Sequence, residues 1–120
     1  MNEPSASIRE LARRLLAIEA EHPDGDASVV ETLRVSLTRF AGQDGVRALM
    51  RRAVVVARAE VSVLDAVTVG DDGSIEGIDE TAEGANEAAA AVTAHLLWLL
   101  VTFIGEAMTL RLVREEWPDI

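Results

Sequence analysis

The sequence predicts an all-α fold, a four-helix-type bundle with a long C-terminal helix and a short β-hairpin or turn near residues 68–76. Three observations predict it. Apolar residues recur at spacings of three and four through residues 8–60, the period of one helix face. Ser-x-x-Glu boxes and Gly or Pro stops bracket those stretches. Finally, Ala88 to Ile104, AAAAVTAHLLWLLVTFI, is a run of seventeen residues without a charge, and it continues through Gly105-Glu106 into the amphipathic tail AMTLRLVREEWP.

The elements follow in order. Ser7-Ile8-Arg9-Glu10 forms a capping box ahead of Ile8, Leu11, Leu15 and Ile18, and His22-Pro23-Asp24-Gly25 stops that helix after Glu21. Ser28-Val29-Val30-Glu31 is a second box, with Asp26 as a competing cap; Val30, Leu33, Leu37 and Phe40 make one stripe and Gly42 ends it. Asp44 caps a third helix from Gly45 to about Glu60. Val46, Leu49, Met50, Ala53, Val54 and Ala57 define its buried face, and Arg47, Arg51, Arg52 and Arg58 its wet one. The next stretch reads two ways: a helix continued to about Val67 and then a turn, which is favoured, or a hairpin pairing Thr68–Val69 with Ser74–Ile75 over Asp71-Asp72-Gly73. The last helix begins between Asp79 and Glu87 and runs to Glu116, where Pro118 ends it.

A chain of 120 residues reads as a single domain spanning 1–120, with an acidic connection at about 68–84. Rings are scarce: Phe40, Trp98, Phe103 and Trp117 are all there are, so the core is aliphatic. Without cysteine there is no disulfide, thiolate metal site or thiol nucleophile. Charges scattered through MNEPSASIRELARRLL argue against a signal peptide, which leaves the cytoplasm as the expected location. All eleven basic residues are Arg, a bias read as bacterial codon usage. Residues 1–60 balance nine Arg with nine acids, whereas 61–120 set two Arg against twelve acids, so the net charge of minus ten sits in the second half. That distribution opposes nucleic-acid binding, which needs a basic surface to displace counterions.

The uncharged run also bears on the membrane. Seventeen helical residues rise ~25 Å, short of a ~30 Å hydrocarbon core, and acidic flanks replace the usual basic anchors. A membrane anchor at 88–104 is therefore the alternative, and a soluble bundle that buries four apolar faces at once is the preferred reading. A helix of roughly thirty residues set among shorter ones overhangs them. Self-association through that end, as a homodimer or higher oligomer, would cover it. The contact residues expected there are Glu106, Leu110, Arg111, Val113, Arg114 and Trp117.

Chemistry-bearing patterns are sparse. His95, Thr102, Glu106 and Thr109 share an arc on one continuous helix, yet His95 and Glu106 lie ~16 Å apart along it and cannot share a ligand. Asp72, Ser74, Glu76, Gly77 and Glu83 partly match a calcium loop, but Asp79 stands where that motif needs an apolar residue. Glu80-x-x-Glu83 and Glu116-x-x-Asp119 match the carboxylate pairs of helical pyrophosphohydrolases, with the second pair straddling Pro118; a metal-dependent nucleotide hydrolase using Glu80, Glu83 and Glu106 is the third reading. No cofactor, metal or catalytic residue is expected. Asp65 to Glu87 carries eight acids and no base. Asp71, Asp72, Glu76, Asp79, Glu80 and Glu83 thus form a candidate acidic surface for an Arg-rich protein partner.

Two segments, FAGQDGVRALMRRAVVVARAEV (40–61) and LLVTFIGEAMTLRLVREEWPD (99–119), resemble stretches recurring in a group of small, uncharacterised bacterial helical proteins. The resemblance covers about a third of the chain and brings no activity with it. It implies that Gly105-Glu106 and Arg111-Leu112-Val113-Arg114-Glu115 belong to a shared structural or contact surface. The reading reached is a non-catalytic interaction module or adaptor-like assembly subunit of a bacterial cytoplasmic complex.

Overall fold

A computed structural model describes residues 3–21, 28–77, 83–118 and 120. The chain forms α1 (Ala6–Glu21), α2 (Val29–Arg58), a 3-10 turn (Ser62–Ala66), strands β1 (Thr68–Val69) and β2 (Ile75–Glu76), α3 (Ala85–Ile104) and α4 (Glu106–Glu116). It is an all-α bundle with one antiparallel two-residue hairpin, registered Thr68 to Glu76 and Val69 to Ile75.

Helix α1 starts at the cap Ser5, whose Oγ accepts from the Ile8 N–H at 3.2 Å, two residues earlier than the expected Ser7 box. Ile8, Leu11, Ala12 and Leu15 are its buried stripe. Ser28 caps α2 as predicted, its Oγ accepting from Glu31 N–H at 3.1 Å. The stop at 22–25 and the competing cap Asp26 lie outside the described residues.

Helix α2 contains the break expected at Gly42, at φ 78° and ψ 166°, a region essentially reserved for glycine. Its two halves need that break. On one ideal helix the buried residues before it (Val29, Leu33, Ser36, Leu37) and after it (Val46, Met50, Ala53, Val54, Ala57) point roughly 100° apart. One non-helical residue realigns both faces with a single core. Phe40, assigned to the buried stripe from the sequence, is instead 55% exposed, because the chain turns at Gly42 before that stripe closes.

The favoured helix to Val67 does not form. Chain direction changes at Val61, extended at φ −134° and ψ 112°, and the 3-10 turn folds back so that Arg58 Nε donates to Leu64 O at 3.1 Å while its Nη2 donates to Val67 O. The hairpin alternative is what the chain adopts, with β2 one residue later than expected.

Helix α3 is the central element, in contact with α1, α2, α4 and the 3-10 turn. Residues 91–97 are buried without interruption, so the helix is covered all round there. Beyond Leu100 it emerges. At Gly105, φ 87° and ψ 161°, the chain breaks again and α4 folds back onto α2 and α3. A straight helix over 85–116 would run ~48 Å; the longest dimension of the molecule is 33 Å. On such a helix Thr109 and Val113 would point roughly opposite Leu96, Leu97 and Leu100. With the break, Thr109 and Val113 are fully buried. The expected overhang is therefore absent, and the polar arc from His95 to Thr109 is divided: His95 and Thr109 are inside, Thr102 and Glu106 outside.

Candidate interaction groove

Two glycine breaks and the emergence of α3 leave an open, apolar groove. Its walls are the C-terminal half of α2 (Gly45, Ala48, Leu49, Arg52, Val56) and that of α3 (His95, Trp98, Leu99, Thr102, Phe103). Leu37, Phe40 and Ala41 from before the first break and Leu100 and Ile104 from before the second complete the lining, so both breaks border it. The cavity measures about 670 Å³. Phe103 is 69% exposed. Val55 and Met108 are also exposed. Three of the four Phe and Trp rings of the chain thus line one surface feature.

The groove carries little charge. Among the described residues Arg52 is the sole charged residue of its lining, and no carboxylate belongs to it. Among the described residues Arg52 and nearby Arg51 make no ion pair, in contrast to Arg9, Arg34, Arg39 and Arg47.

His95 belongs to the lining at 3% exposure. Its Nε2 is hydrogen-bonded to Glu60 Oε2, and Glu60 Oε1 accepts from Arg9 Nη1 at 2.9 Å. Burial pushes the Glu60 carboxyl up, but the hydrogen bonds from Arg9 and His95 outweigh it and hold the group below the usual glutamate range. An ionised carboxylate only accepts, so Nε2 carries the proton it donates. The trio ties α1, the segment just after α2, and α3 together. With this nitrogen engaged, and with the Thr102 hydroxyl donating to Trp98 O at 3.0 Å, the groove offers chiefly apolar contact.

The C-terminal residues expected at a contact surface divide by face. Val113 is wholly buried, and Leu110 and Trp117 pack against the core half-buried. Glu106, Arg111 and Arg114 are exposed. The inner face of α4 is thus used within the molecule, with Arg39 to Glu116 at 3.4 Å closing its far end.

Part of the acidic surface is likewise answered from within. Asp72 lies 3.8 Å from Arg34 Nη1, and Asp71 lies 3.7 Å from Arg47 Nη1. Gln43 Nε2 and Arg34 Nη1 donate to the carbonyls of Asp71 and Asp72. The Asp72 carboxylate accepts from the Ser74 N–H, and hydrogen bonds from Ser74 lower its pKa. Arg34 itself is fixed by Glu31, whose carboxyl that hydrogen bond holds low. Glu76 and Glu83 are exposed. Asp79 and Glu80 lie outside the described residues, as does Asp119. Glu83 and Glu106 flank opposite ends of α3, ~30 Å apart, so no carboxylate site joins them. Among the described residues no three His, Asp or Glu side chains converge as metal ligands.

Sequence reasoning missed the groove, because it assigned Phe40 to the core and Phe103 to a helix covered all round. The available signal was two scarce rings, each within two residues of a glycine.

No family model, curated protein or solved structure matches this chain.

Proposed function

We propose that this protein is a non-catalytic helical interaction module, an adaptor-like assembly subunit of a bacterial cytoplasmic complex, and that its contact surface is the groove between α2 and α3. One observation carries this reading: an apolar cavity of about 670 Å³ is open at the surface and flanked by exposed Phe40 and Phe103. Contiguous apolar surface with projecting rings mainly marks places where another molecule binds, since exposure in water is unfavourable. Helix-in-groove recognition has this form.

Helix α3 is long and apolar enough to cross a bilayer by length and composition, with half of that window already buried inside the fold. Insertion would uncover the faces of α1 and α2 that α3 now covers, which favours the interaction reading over a membrane anchor. Site-specific photo-crosslinking in cells tests the proposal. A photoreactive residue in place of Phe103 is expected to give discrete protein adducts, and one in place of exposed Ser62 on the 3-10 turn is not. Equal labelling from both positions would overturn the groove as the contact surface.

A further inference from the structure

We infer that the occupant of the groove is a second copy of this chain, related by a two-fold axis, with Phe103 of each copy seated in the groove of the other. The inference rests on the groove being the contact surface and identifies the partner.

Shape is the first argument. A two-fold interface uses the same patch twice, so the patch must contain both a projection and the recess that receives it. Phe103 is both part of the groove wall and the most exposed large apolar side chain among the described residues, at 69%. A groove built only to receive a foreign helix needs no projecting ring of its own.

Charge is the second. With a net charge of minus ten, two copies repel over most of their surfaces. The groove adds little to that repulsion, since among the described residues its lining has no carboxylate and one cation, Arg52. Glu106 stands three residues beyond Phe103, exposed, at the start of α4. Neither Arg52 nor Glu106 has an ion-pair partner among the described residues. In the proposed dimer Glu106 of one copy pairs with Arg52 of the other. The two-fold axis then forms the pair twice, so unpaired opposite charges on a single chain become complementary across the interface.

Sedimentation equilibrium on the full chain, from low micromolar to several hundred micromolar, tests this. The wild type is expected to show a monomer–dimer equilibrium. Phe103→Glu should weaken it at least thirtyfold, as removal of a central aromatic anchor does. Arg52→Glu should weaken it about tenfold more than Arg51→Glu, which changes the net charge equally, because two exposed pairs turn from attraction to repulsion, and Glu106→Arg should rescue Arg52→Glu more fully than it rescues Arg51→Glu. Arg51→Glu, on the same helix but outside the lining, is the control, and circular dichroism with thermal melting verifies that every variant is folded. A wild type that stays monomeric, or a dimer indifferent to Phe103→Glu, would overturn the inference. Glu106→Arg rescuing Arg51→Glu as fully as it rescues Arg52→Glu would overturn the Arg52–Glu106 register. Crosslinks from position 103 that contain only a different protein would remove the second copy while leaving the groove as a contact surface; absence of crosslinks would remove both.

Discussion

Thr93 sits fully buried in α3, and its hydroxyl has no hydrogen-bond partner among the described residues. An unpaired buried hydroxyl loses its hydration without compensation, which costs ~1–3 kcal/mol. Valine has nearly the same shape and no such cost. Thr93→Val is therefore expected to leave stability unchanged or raise it by up to ~1–2 kcal/mol in urea denaturation, against the usual trend for core substitutions. The carboxyls of Glu31, Glu60 and Asp72 behave differently. Each is held below its ordinary range in the folded chain, by Arg34 for Glu31, by Arg9 and His95 against the effect of burial for Glu60, and by Ser74 for Asp72. The unfolded chain therefore binds more protons in that range. Their contribution is complete above the ordinary carboxylate pKa and is lost as pH falls through the depressed values, below ~4. Thermal midpoints measured from pH 7 to pH 3 should fall at the acid end, and Glu60→Gln should show a smaller fall than wild type from a lower starting midpoint.

Secondary-structure elements were legible where their signals are local. The Ser28 cap, the stripe of α1, the break at Gly42 and the buried middle of α3 all follow from residues within a turn or two of one another. The break at Gly105 has the same origin as that at Gly42, a change in the phase of the apolar stripe at a glycine. It was missed because the run before it is apolar nearly all round and shows no phase. Both glycines adopt nearly the same backbone conformation, and a Cβ at either would meet nothing within 4 Å. The constraint is therefore on the dihedral angles rather than on space. Gly42→Ala and Gly105→Ala are each expected to cost about 1–3 kcal/mol by chemical denaturation, through strain at a positive φ. The expected helix to Val67 failed for a related reason: Arg58 reaches carbonyls six and nine residues ahead, a contact no local pattern announces.

At the scale of the molecule, net charge bears on the proposed dimer. Two bodies of minus ten about 27 Å apart, the shortest dimension of the fold, would repel by ~15 kcal/mol in unscreened water. An exposed ion pair returns ~0–1 kcal/mol. Screening of the long-range repulsion must therefore outweigh screening of the pairs. The association constant of the proposed dimer is expected to rise between 0.01 M and 0.15 M salt, where the Debye length falls from ~30 Å to ~8 Å. Sedimentation at both ionic strengths checks the sign.

The acidic connection shows the same dependence on distant partners. Counted along the chain it is eight carboxylates with no base, yet Asp71 and Asp72 are placed against Arg47 and Arg34, more than twenty residues away. The sequence by itself determined the helical class, the Ser28 cap, the break at Gly42, the stop after Glu116 and the burial of the middle of α3, because periodicity and capping are properties of neighbouring residues. Tertiary structure alone decided that α4 turns inward to bury Val113, that Phe40 and Phe103 stay at the surface, and that the connection is half answered from within. Those outcomes depend on the chain direction set at Gly42 and Gly105 and on residues that only the folded state brings together.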